Sequence, residues 1–162
     1  MDQTALEAIV LSLDPGGIRH VFPHGRETVL AAWDPDLDPA ESIVDNVAGL
    51  GLSPVMVHST SWRVTERRIV LSFIVVVESS TLVPDVYEVE SVTRTELARG
   101  HATRSPASVH ISQVVEHGLR HLAWLLEADD AIREALPEWP AALADYAPEP
   151  FRAFGREPGT AI

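Results

Sequence analysis

A chain of 162 residues, 46% hydrophobic and 22% charged, is long enough to bury one sizeable core and too apolar to be disordered. Its formal net charge of −12 argues against general nucleic-acid binding, which depends on Lys and Arg displacing phosphate counterions. There is no cysteine and all twelve basic residues are arginine, so disulfides, thiolate metal sites, thiol nucleophiles, Schiff-base lysines and a Walker-type phosphate loop are excluded together.

Residues 5–13 and 18–22 are apolar runs flanking Asp14-Pro15-Gly16-Gly17, where proline fixes one turn dihedral and glycine supplies positive φ, so the pair reads as a β-hairpin. Pro23-His24-Gly25 breaks the pairing before a third strand at about 28–33. The acidic loop 34–38 then enters a short helix, with Asp38 as N-cap, Pro39 at N1 and Glu41 at N3, and with Gly49 and Gly51 as its stop.

Two long strands follow, Pro54–Thr65 and Arg68–Glu78, turning at Thr65-Glu66-Arg67. Strict alternation places Val55, Val57, Ser59 and Ser61 on one face of the first, and Met56, His58, Thr60 and Trp62 on the other. The second is apolar from Ile69 to Val77 apart from Ser72, as for a central strand covered on both faces. Residues 86–93 alternate as a half-exposed strand.

Ser105-Pro106 reads as the start of the longest helix, whose apolar face runs Ile111, Val114, Val115, Leu119, Leu122, Leu125 and Leu126. Gly118 lies on that face and would admit a close approach to the sheet. A short helix at 129–136 and another at about 141–146 complete the chain, with a disordered tail from 155. The expected class is therefore α+β: one domain over 1–154, a mixed β-sheet packed between helices, and helices at the C-terminal end. The longest apolar stretch, around Phe73–Val77, is much shorter than the roughly 20 residues a membrane helix needs. No basic segment leads a hydrophobic one, so a cytoplasmic setting is expected.

This order of strands, acidic loop, short helix, Gly-Leu and two long strands resembles the Nudix hydrolase fold, in layout over about 5–126 and in motif over about 30–52. Anchored on Gly51-Leu52, the family's box would put its first Gly at Leu30, its first Glu at Asp36, its Arg-Glu pair at Val44-Asp45, and its metal-holding Glu pair at Ala48 and Gly49. Asp36 and Asp45 keep a carboxylate, one methylene shorter; Ala48 and Gly49 have no side-chain oxygen at all. The resemblance thus implies a Nudix-like architecture without the usual pyrophosphohydrolase activity, and a fold by itself licenses no function. The leading expectation is a binder of a small phosphorylated molecule or a protein partner. Its rivals are a divergent Mg²⁺-dependent nucleoside-diphosphate-type hydrolase and a regulatory or scaffold subunit.

Three groups of residues carry these expectations. Asp36, Glu41 and Asp45 belong to five carboxylates within 34–45. Glu41 and Asp45 share a helix face that can chelate a hard cation such as Mg²⁺ or simply be solvated. Trp62 and Arg63, with Arg67 and Arg68 nearby, offer a ring and cations for a base and a phosphate, or else ordinary cross-strand contacts. His117 and His121 have the spacing of a helical metal pair, but they flank the apolar face and fit better a half-buried stripe lining a ligand or partner groove.

Overall fold

The chain starts with a strand that almost every other layer touches. In the computed structural model, which describes residues 4–79, 82–97 and 109–150, β1 (Ala5–Asp14) lies inside a six-stranded sheet of order β4-β5-β1-β2-β6. β2 (Gly17–Pro23) folds back antiparallel on its second half, with Gly17 at φ 119° closing the Asp14–Gly17 turn. β3 (Val29–Ala32) pairs antiparallel with its first half, so two short strands share one edge of β1. Its other edge carries β5 (Arg68–Val77) in parallel, which makes the sheet mixed. β4 (Pro54–Thr65) and β6 (Tyr87–Ser91) are the outer strands, each antiparallel to its neighbour.

Helix α1 (Pro39–Gly49) forms where the capping residues predict it: Asp38 Oδ1 accepts from the backbone N–H of Ala40 at 2.8 Å and of Glu41 at 3.2 Å. It buries Ile43 and Val47 against one face of the sheet, together with Leu6, Ala8, Val10, Phe73 and Val75. The Tyr87 hydroxyl donates to the Leu50 carbonyl at 2.9 Å and ties β6 to the end of this helix.

Helix α2 (Ile111–Ala128) covers the opposite face, where Leu119 and Leu122 pack with Ile9, Leu11, Ile74 and Val76. Gly118 is what permits that distance: a Cβ there would sit 2.6 Å from Ile74 Cγ2. Short helices α3 (Asp130–Ala135) and α4 (Trp139–Ala142) return under α2 and add Leu136, Trp139 and Tyr146 to the same core. The molecule is thus α+β, with a mixed sheet between helices and its last helices following the sheet.

Two helix boundaries and one strand-face assignment differ from the sequence expectation. His110 is extended and caps the helix, so α2 begins at Ile111, where the Gln113 side chain accepts from the His110 N–H at 3.0 Å; Ser105 and Pro106 lie outside the described residues, as does the tail from 155. The last helix is a single turn at Trp139–Ala142 rather than 141–146, because Pro140 fits a first helical turn and its missing N–H is not needed there. The third difference concerns the faces of β4. The register slips between Ser59 and Ser61, so Thr60 is an extra residue and the alternation inverts beyond it. His58 and Arg63 therefore share the α2-facing side, while Trp62, opposite Leu71, turns to the α1-facing side.

Candidate functional site

The residues singled out in the sequence fall into separate places. Glu41 and Asp45 stand one turn apart on the outer face of α1 and, with Val44, face Val55, Met56 and Val57 of β4 across an open groove of about 530 Å³. The groove exists because Ile43 and Val47 dock the inner face of α1 on the sheet, leaving i, i+3 and i+4 neighbours to look along the sheet edge. Both carboxylates are exposed, and among the described residues neither has an ion-pair partner. Asp36 does not line the groove. It sits in the preceding turn, where its backbone N–H donates to Asp34 Oδ1 at 3.0 Å. No arginine lines the groove among the described residues, so it offers apolar surface and negative charge and nothing cationic for a phosphate. A second recess, by Leu52 and Val77, measures about 10 Å³, no more than a single water needs.

Trp62 and Arg63 do not act together, because neighbouring strand residues point to opposite faces. Trp62 is solvent-exposed. Arg63 reaches inward and grips Glu7 of β1 with both ends of its guanidinium, at 2.6 and 2.7 Å, while also donating to Ser72 Oγ at 3.0 Å. Ser72 and Thr28 hydroxyls complete the set around Glu7 at 2.8 and 3.2 Å. Burial alone would raise the Glu7 carboxyl, but Arg63, Ser72 and Thr28 outweigh it and hold it below its ordinary value. Beside this cluster the His20 ring is buried, its Nε2 has no hydrogen-bond partner, and burial pushes its pKa down to about 4 against the opposing pull of Glu7.

His117 and His121 meet β4 rather than a groove. His121 Nε2 lies 3.3 Å from His58 Nδ1, and His117 Nε2 lies 3.4 Å from the carbonyl of Thr60, the extra residue in the strand. His121 also packs on Trp124, with ring centroids 5.7 Å apart. Its pKa falls to about 4, first through burial and then through His58 and His117, while backbone groups of Glu149 and Pro150 act the other way. A second buried carboxylate, Glu116, binds Arg94 at 3.0 Å and Arg120 at 3.0 Å. Arg94 in turn lies over the Tyr146 ring at 4.0 Å and donates to the Asp145 carbonyl. These contacts fasten the segment after β6 and the C-terminal turns to α2.

Glu7, His20, His58 and Glu116 were not among the candidates read from sequence. A lone Glu inside an apolar strand, as Glu7 is, does signal a buried partner, but nothing local says which arginine supplies it. Among the described residues no three His, Cys, Asp or Glu side chains converge in a way that could hold a metal ion, and no helix is long and apolar enough to cross a membrane. No protein-family model matches the chain, and no curated protein or solved structure matches it either.

Proposed function

We propose that this protein is a partner-binding domain on a Nudix-like architecture, working without pyrophosphohydrolase chemistry in a cytoplasmic setting. The observation that carries the reading is the groove between α1 and β4: apolar walls from Val44, Val55 and Val57, two exposed carboxylates with no ion pair among the described residues, and an outer strand alongside. Such a lining suits an extended protein segment bearing apolar and basic side chains, which adds to a sheet edge through its backbone and is selected through alternate side chains. A small phosphorylated ligand is the weaker choice, since the lining carries no cation to meet a phosphate. At the family's metal-holding positions stand Ala48 and Gly49, which have no oxygen to offer.

A titration followed by backbone amide NMR tests this. A short synthetic peptide alternating valine and arginine should saturate the protein and shift Val44, Asp45 and Val55, and a Glu41→Arg/Asp45→Arg variant should lose the effect. A peptide of the same composition with its arginines clustered at one end should not saturate. Mg²⁺-dependent release of phosphate from nucleoside diphosphates, abolished by Asp45→Ala, would overturn the reading in favour of a divergent hydrolase using Asp36, Glu41 and Asp45.

A further inference from the structure

We infer that the partner seated at this groove in the free protein is a second copy of the chain, joined β4 to β4 across a two-fold axis. The inference rests on the reading of the groove as a partner site. β4 is twelve residues long and bonds to β5 along one edge; along its other edge no strand pairs with it among the described residues. Long outer strands with apolar side chains are templates for further pairing, and an identical strand run antiparallel closes the assembly at two copies.

The inverted alternation of β4 fixes a register. Before Thr60, Val57 faces the α1 side opposite Val75, and Val55, the extra residue of a second register shift between Pro54 and Met56, lines the groove beside α1; Trp62 and Val64 face the α1 side afterwards. An axis between Ser59 and Thr60 sets Val57 of one copy opposite Trp62 of the other on one face, with Val64 coming beside Val55. Without the extra residue at Thr60, Val57 and Trp62 would fall on opposite faces. Val55, Trp62 and Val64 are 45%, 60% and 55% exposed in the single chain, and Ile69, the β5 neighbour of Val64, extends the patch at 40%. Cross-strand aromatic and β-branched pairs of this kind stabilise antiparallel sheets.

Charge fits the same register. Continuing past Val64, the β4–β5 turn of one copy projects beyond Pro54 of the other, at the end of the groove that holds Glu41 and Asp45. That turn carries Arg67 at its tip and Arg68 at the start of β5, where pairing with Thr65 places it on the α2-facing side. Both are exposed and without an ion pair among the described residues, and Arg67 is the nearer to the groove. Glu66 and Arg67 occupy the turn's two central positions at φ 47° and 67°, a tight reversal normally filled by Asn-Gly. The tip thus holds a charged pair in backbone conformations that long side chains adopt reluctantly, and presents arginine where the other copy has unpaired carboxylates.

Sedimentation equilibrium of the full chain tests the inference. The wild type should dimerise, and Arg67→Glu/Arg68→Glu or Glu41→Arg/Asp45→Arg should each weaken association by at least about tenfold through like-charge contact at the groove. Mixing the two variants should restore a mixed dimer, because each then meets its opposite charge at both ends of the axis. A chain that stays monomeric, or a dimer indifferent to both variants, would overturn the inference. If the valine–arginine peptide still saturates the groove of such a monomer, only the second copy is refuted; if it does not, the partner-site reading falls too.

Discussion

The buried carboxylates and the groove carboxylates of this protein have opposite fates. Glu7 and Glu116 are enclosed, and each is met by a guanidinium fork with further donors, so their charge is consumed in holding elements together. Glu41 and Asp45 stand on an exposed helix face with no cation near them among the described residues. The difference teaches where interaction capacity resides. A carboxylate whose lone pairs are all satisfied inside cannot take a ligand without breaking the fold, whereas a solvated one can exchange water for a partner.

The sharpest way to break this contrast is to remove an inner carboxylate. Glu116→Ala leaves Arg94 and Arg120 facing an uncompensated site and should cost about 3–5 kcal/mol in urea unfolding. An effect below about 1 kcal/mol would put Glu116 with the groove residues instead.

Acidification should act next. His20 titrates near 4 when folded and 6.5 when free, so the unfolded state takes up the proton first. The His20 contribution is therefore whole above about 6.5 and falls as pH drops toward 4, by up to about 3 kcal/mol, and His121, also held near 4, loses stability over the same window. Glu7, whose folded pKa is lowered, adds its own loss as pH falls below the free value of 4.5. A His20→Leu variant should make the upper part of that slope shallower, with the His121 share remaining, and leave the lower part.

Gly118→Ala should cost about 1–3 kcal/mol, because the new methyl meets Ile74 Cγ2 across a packed interface with no room to yield. The smallest effect belongs to the groove: Glu41→Ala and Asp45→Ala should each change monomer stability by no more than about 0.5 kcal/mol while altering association. A large stability loss there would mean that the groove carboxylates serve the fold after all.

Much of the fold was legible in the residues. Asp38 and Pro39 announce the start of α1, Asp14 to Gly17 announces the first turn, and the glycine on the apolar face of α2 announces the close approach that Ile74 then occupies. Less of the site was legible. Glu41 and Asp45 share a groove because they share a helix face, which spacing alone reveals, but the wall opposite them comes from β4. Trp62 and Arg63 look like a joint recognition element only until Glu7 claims the arginine. His121 meets His58 from β4, 63 positions away, and the extra residue at Thr60, which decides which β4 side chains look outward, has no glycine or proline to mark it.

The sequence determined the elements, their caps and their apolar faces, since helical and strand periods and turn chemistry act over a few neighbouring residues. Tertiary structure alone decided which charges are spent and which are left over. Arg63 reaches Glu7 across 56 positions of chain, and only the order β4-β5-β1 brings those strands near enough for a guanidinium to span them.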